Sequence, residues 1–257
     1  MLNKEKINDL EKLKSDYKNA KAFPHIVLNE LWDDRILNAA RLEVESFQKW
    51  DGEKDFYGSQ KKRWQSNWEH LPTTVKDIFH FLNSPEFLII LEQITGEIGL
   101  IPDPYLNGGG IHSTGKGGFL KLHADFNWHS QLKLYRRLNV LIYLNKNWEK
   151  EYKGQLELAS KKNNEEFDIA VSVNPDFNKT VIFTTDDHSF HGHTDPLQTP
   201  ELTRRNSLAV YYYVSEKPKG TSHKKRLGTD YRYISGEKMR YPFLKRVRKK
   251  IDSILNR

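Results

Sequence analysis

The chain has 257 residues, no cysteine, 37% hydrophobic and 29% charged residues, and a formal net charge of +7. That length suffices for one large domain or two small ones with a sizeable core, and the absence of thiols excludes a disulfide framework, a thiolate metal site and a cysteine nucleophile. No run approaches the roughly 18 apolar residues of a membrane span, and the excess of Lys and Arg favours anionic partners, with a solvated basic face as the plainer reading.

The first stretch, MLNKEKINDLEKLKSDYKNA, is charged throughout and lacks the apolar core of a secretory leader, so a cytoplasmic location is the expectation. Ile7, Leu10, Leu13 and Tyr17 recur at helical spacing, and Ile36, Leu37, Ala40 and Val44 repeat the pattern from about Asp34 to Phe47. Between them, FPHIVLNELW reads as a short strand entering a helix. NSPEFLIILEQITG predicts a helix with Ser84 as cap, Pro85 at its first position and Gly96 as its stop. Residues 1 to about 100 are therefore expected to be largely helical.

After IPDPYLNGGG the pattern changes. GGFLKLHADF, RRLNVLIYLN, GQLELAS, FDIAVSVNP, KTVIFTT and SLAVYYYVS are rich in Val, Ile, Phe and Tyr and are separated by turn residues. A helical front followed by six or more closely spaced strands predicts an α+β, mainly β fold: a jelly-roll double sheet buttressed by helices. No linker divides the chain, so one domain is expected over 1–257, with a helical part to about 100, a core from about 105 to 216 and a basic extension from about 217. In that extension Phe243, Val247, Ile251 and Ile254 share one stripe, which predicts a basic amphipathic helix suited to an anionic partner. No repeat, low-complexity tract or standard nucleic-acid-binding signature is present.

The chemistry is concentrated in LKLHADFN. His123 and Asp125 stand two apart, the side-chain period of a strand, so both face one side. An imidazole and a carboxylate on a buried face need partners. A third ligand is available in TTDDHSFHGHTDP, which offers His188, His191 and His193. Two histidines and one carboxylate leave three positions of a metal open, the facial arrangement of non-haem Fe(II) oxygenases. Arg205, Ser207, Ala209 and Tyr211 alternate onto one side of a later strand, and a guanidinium there suits bidentate grip of a carboxylate.

Together GGFLKLHADFN, RRLNVLIYLNKNW, GQLEL, VIFTTDDHSFHGHTDP and RRNSLAVYYY, in that order over roughly residues 23 to 215, resemble the prolyl 4-hydroxylase-like branch of the 2-oxoglutarate and Fe(II)-dependent oxygenases. The resemblance implies a double-stranded β-helix (cupin-like) core, a ferrous ion, 2-oxoglutarate as cosubstrate and O₂. It assigns His123, Asp125 and His191 as iron ligands, with His188 and His193 as neighbours. Arg205 and Tyr143 become partners of the distal carboxylate of 2-oxoglutarate, and Ser207 and Tyr211 lesser members of that pocket. It implies hydroxylation of an unactivated C–H with conversion of 2-oxoglutarate to succinate and CO₂, on an amino acid, peptidyl residue, saccharide or other small metabolite. His112 stands where relatives often place a tyrosine. Arg136-Arg137 either faces an acidic substrate or, as the favoured expectation, forms a solvated strand end, and Asn127 and Trp128 either line the substrate entrance or pack. Two alternatives remain: a cupin-like metal enzyme using His191-Gly192-His193 as an H-x-H element, and a non-catalytic binding module.

Overall fold

A computed structural model describes residues 1–162, 166–222 and 224–232, so the expected C-terminal basic helix lies outside the described residues. Within them the elements run α1 (Leu10–Lys18), β1 (His25–Asn29), α2 (Asp34–Glu45), β2 (Gly52–Phe56), β3 (Ser59–Gln65), α3 (Thr73–Leu82) and α4 (Pro85–Thr95). The strands then follow closely: β4 (Ile101–Pro102), β5 (Gly110–Ala124), β6 (Trp128–His129), β7 (Leu134–Tyr143), β8 (Leu156–Lys161), β9 (Phe167–Val173), β10 (Lys179–Thr184), β11 (Phe190–His193), β12 (Arg205–Val214) and β13 (Asp230–Tyr231).

Local signals account for the helix ends. The side chains of Asp9, Asp33 and Ser84 accept bonds from Lys12, Ile36 and Phe87 backbone N–H groups, and Gly96, at φ +74°, ends α4 in the left-handed conformation. The expectation of a largely helical front fails at residues 52–65. There β2 and β3 form an antiparallel hairpin, and β3 pairs with β5 of the core. SQKKRWQ has no apolar alternation because its inward positions face a polar cavity.

The strands pair in the order β1-β10-β7-β12-β5-β11-β8-β9. Alternation decides what each face does. Leu138, Val140 and Ile142 of β7, with Leu208, Val210 and Tyr212 of β12, pack against Leu37, Val75, Phe79, Phe87 and Leu91 from the helices. The intervening Asn139, Leu141, Arg205, Ser207 and Tyr211 line a cavity on the other face. On that inner side Tyr143, Val181 and Phe183 meet Leu156, Leu158 and Val173 from β8 and β9, so the sheet curls over and encloses its own second layer.

The long strand β5 belongs to both layers. Its first half, Gly110–Thr114, pairs with β12, and its second half pairs with β11. The bend between them falls at Gly115-Lys116-Gly117-Gly118. Gly117 has φ +74°, and a Cβ on Gly118 would lie 2.5 Å from Thr114 Cγ2 and 2.7 Å from Gln60 O. The glycine-rich run thus lets one strand carry groups to two parts of one cavity. Among the described residues no helix is long and apolar enough to cross a membrane.

Candidate metal and cosubstrate site

His191 on β11 lies directly opposite His123 on β5, and Asp125 follows two residues after His123. One ligand atom from each of the three lies within 4.8 Å of the others. His123 Nε2 is 3.5 Å from Asp125 Oδ1, and His191 Nε2 is 3.4 Å from Asp125 Oδ2. These distances are long for hydrogen bonds. They suit donors sharing an ion, which stand about 3 Å apart when two bonds of about 2.1 Å meet at a right angle.

The other ring nitrogens settle the tautomers. His123 Nδ1 lies 2.8 Å from Lys121 O and His191 Nδ1 3.1 Å from Ser189 O, so each Nδ1–H donates to a carbonyl two residues back. Each Nε2 therefore presents a lone pair to the same space, as a metal ligand requires. Gly192 makes the approach possible: a Cβ there would lie 2.7 Å from Leu120 O. The donor set fits Fe(II). His188 is exposed in the preceding turn, and His193 is buried in the same cavity but is not one of the three.

Asp125 is held from behind by Arg136, and here the expectation of a solvated strand end is corrected. Arg136 is 1% exposed, its Nη2 donates to Asp125 Oδ2 at 2.8 Å, and its Nε and Nη2 both donate to Asn139 Oδ1. Asn139 Nδ2 donates to the same Asp125 oxygen, also at 2.8 Å. Arg136 is drawn inward because Tyr211, facing the cavity, puts its ring 3.4 Å beneath the guanidinium. Burial raises the Asp125 pKa, but Arg136, His191 and His123 outweigh it and hold the carboxyl well below its usual range. Arg137, by contrast, is half-buried against Glu97 at 2.6 Å.

Arg205 is buried in the same cavity. Its Nε donates to Gly154 O at 2.6 Å and its Nη2 to Tyr143 Oη at 3.1 Å, with the guanidinium 4.9 Å from the Tyr143 ring centroid. Its Nη1 has no hydrogen bond to any described residue, which leaves that edge of the fork to a ligand. His193 Nδ1 is likewise buried without a hydrogen-bond partner among the described residues. Polar hydrogen-bonding groups left open around an enclosed space fit an anionic cosubstrate. Ser207 lies in register between His112 and Tyr143 and lines the cavity. The Tyr211 hydroxyl donates to Gly108 O at 2.9 Å. His112 faces the cavity with Nε2 3.0 Å from Gly108 O.

The cavity measures about 360 Å³. Lys54, Ser59 and Lys62 of the β2–β3 hairpin line it, as do Leu227, Gly228, Thr229 and Tyr231 of a C-terminal strap. Asn127 anchors that strap: its Nδ2 donates to Asp187 Oδ1 and Lys224 O, and its Oδ1 accepts from Arg226 N at 2.7 Å. Trp128 does border the cavity, beneath the Lys225 ammonium at 3.5 Å. The strap ends in β13, which pairs with β5 at Ala124 and His123 and places Tyr231 5.6 Å from the His123 ring.

Three cavity histidines disfavour a proton. Burial is the first cause for each, followed by Lys62 at His112, His123 at His191 and Arg205 at His193; His191 is pulled down to about 4. In the unfolded chain these groups titrate near 6.5. Their stabilisation is complete above that value and is lost as pH falls towards the folded pKa. The metal-free protein is therefore expected to lose stability between pH 6.5 and 4, at up to about 4 kcal/mol per pH unit while all three contribute. Urea unfolding across this window checks it, and a flat profile would contradict the buried neutral state.

Residues 109–213 match the family model described as the 2OG-Fe(II) oxygenase superfamily. No curated protein sequence matches the chain. Among solved structures, a prolyl hydroxylase from Trichoplax adhaerens, in complex with a hypoxia inducible factor peptide fragment, is 18% identical with TM-score 0.56, covering 81% of this chain and 91% of its own. HygX from Streptomyces hygroscopicus, with nickel and 2-oxoglutarate bound, is 12% identical with TM-score 0.53, covering 90% and 98%. The non-heme alpha-ketoglutarate-dependent epimerase SnoN, from nogalamycin biosynthesis, is 11% identical with TM-score 0.55, covering 89% and 96%. At these identities the likeness is one of fold, the double-stranded β-helix expected from the sequence.

Proposed function

We propose, on the match of residues 109–213 to the 2OG-Fe(II) oxygenase family model, that this chain is a 2-oxoglutarate- and Fe(II)-dependent oxygenase that hydroxylates an unactivated C–H bond of a small substrate. The overall change takes the substrate, 2-oxoglutarate and O₂ to the hydroxylated product, succinate and CO₂. The observation that carries the site assignment is the convergence of His123 Nε2, His191 Nε2 and the Asp125 carboxylate on one side of a cavity that also holds Arg205.

In this reading Fe(II), when bound, supplies the centre at which O₂ and the 2-oxo acid react. The chain's own work is positioning. Backbone carbonyls of Lys121 and Ser189 fix the two imidazoles, and Arg136 with Asn139 keeps Asp125 ionised and oriented. Arg205 takes the distal carboxylate of the cosubstrate, with Tyr143 bracing the guanidinium from the side. The strap and the hairpin enclose the reacting C–H and limit water.

Mn(II) with 2-oxoglutarate, each at about a hundred times its Kd, is expected to stabilise the fold by roughly 3 kcal/mol per site, a combined Tm rise of about 10–20 °C. Mn(II) alone should give only part of it. A shift with Mn(II) that 2-oxoglutarate leaves unchanged would instead favour the cupin-like alternative. Because a similar fold serves an epimerase, the product should be weighed: hydroxylation makes it one oxygen heavier, whereas epimerisation leaves its mass unchanged.

A further inference from the structure

The β2–β3 hairpin treats its charges in two different ways. Glu53 and Arg63 are register partners and form an ion pair at 3.1 Å. The next pair, Lys54 and Lys62, sets two ammonium-bearing chains directly opposite each other. Like charges in opposed positions of an antiparallel pair repel and destabilise it. Lys54 is exposed, with its ammonium 5.4 Å from the Trp64 ring centroid. Lys62 is half-buried, and its ammonium has neither a hydrogen bond nor an ion pair to any described residue.

Lys62 is also aimed inward. It pairs with Thr114 on β5, and Thr114 pairs with Arg205 on β12, so the three form one row across the cavity wall. Burial, then Lys54, pulls its ammonium down to about 7, against the pull of Asp125. The other inward cations have identified work. Arg136 is satisfied by Asp125 and Asn139, and Arg205 offers its free edge to the cosubstrate. With the ferrous ion, Asp125 and doubly charged 2-oxoglutarate in place, Arg205 and Arg136 already outweigh the remaining negative charge. Lys62 and Lys54 then add cations that nothing in the site answers. An uncompensated, partly desolvated ammonium beside a second one is an arrangement that a bound anion relieves.

We propose that Lys62, with Lys54 beside it, binds an oxyanion of the molecule to be oxidised, so that the primary substrate is a small compound carrying a carboxylate or phosphate. This rests on the reading of Arg205 as the cosubstrate anchor and names the substrate class for that same site. Lys62 sets where the anionic end lies, and the C–H to be attacked is the one that this tether brings to the metal side of the cavity.

The test uses the full chain loaded with Mn(II). In the first arm 2-oxoglutarate is titrated calorimetrically into wild type, Lys62→Gln and Lys62→Arg. The affinity should hold within about twofold in both variants, whereas a loss of about tenfold or more in Lys62→Gln would make Lys62 a cosubstrate group and overturn the proposal. In the second arm inorganic phosphate is added at saturating 2-oxoglutarate, and its phosphorus relaxation by the bound Mn(II) is read. Wild type and Lys62→Arg should relax phosphate, and Lys62→Gln should do so about fivefold less or not at all. Acetate, read by carbon relaxation in the same way, separates a preference for phosphate from one for carboxylate. Equal relaxation in wild type and Lys62→Gln overturns the proposal. Tm is measured throughout: relief of the Lys54–Lys62 repulsion should leave Lys62→Gln at least as stable as wild type, and a marked fall would assign Lys62 to packing instead. Failure of the wild type to bind 2-oxoglutarate would sink the cosubstrate reading, and the phosphate arm with Mn(II) alone would then decide the oxyanion site by itself.

Discussion

Arg205→Ala is expected to weaken 2-oxoglutarate binding by a hundredfold to a few thousandfold while Mn(II) still binds. Arg205 is 7% exposed, so a carboxylate beside its guanidinium is paired where water screens little. Removing one partner of such a pair costs about 3–5 kcal/mol, which is the stated range of affinity. The substitution also frees Gly154 O and Tyr143 Oη, so a modest fall in Tm accompanies it and must be measured alongside. Arg205→Lys keeps the charge but loses the planar fork and should recover only part of the loss. Calorimetric titration of 2-oxoglutarate into the Mn(II)-loaded variants decides the matter, and unchanged affinity in Arg205→Ala would remove Arg205 from the cosubstrate pocket.

The second large effect concerns stability. In the metal-free protein Asp125→Ala leaves Arg136 buried and without its carboxylate, with Asn139 Oδ1 still accepting from it. Isolating one member of a buried pair is expected to cost about 3–5 kcal/mol in denaturant unfolding. Adding Arg136→Met should restore about half of that or more, because an apolar chain of similar length can lie on the Tyr211 ring without an unmatched charge. Neither variant should bind Mn(II) tightly. If the double variant were no more stable than Asp125→Ala, the two side chains would not be energetically coupled, and the Arg136 support of the metal carboxylate would fail with them.

Much of this site is legible in the sequence because the residues that build it obey strand periodicity. His123 and Asp125 fall two apart, and Arg205, Ser207, Ala209 and Tyr211 alternate, so side-chain direction follows from spacing alone. The caps of α4, Ser84 and Gly96, are local and equally readable. The hairpin at 52–65 is not, because its inward positions Ser59 and Lys62 meet a polar cavity and leave no apolar pattern. Arg136 departs from its expected solvated place for a related reason: a doublet at the start of a strand looks solvated until Asp125, across the preceding turn, and Tyr211, far along the chain, are brought beside it. Asn139 did carry a signal. A single amide within LNVLIY must find partners if that strand is buried, and its inward neighbours are where such partners lie.

The strap over the cavity is fastened to the ligand-bearing strand itself. Two residue pairs join β13 to β5, and Arg226 reaches Asp187 and the Asp125 carbonyl. The strap also bonds Asn127 through Lys224 and Arg226, and Leu122 through Arg232, but a cover at the edge of a sheet still opens at a lower free energy than the sheet beneath it unfolds. Its inner edge is the same backbone that presents His123 and Asp125. Each opening therefore unclamps the ligand-bearing strand as well as the doorway, which ties the departure of product to a momentary loosening of the metal's own seat.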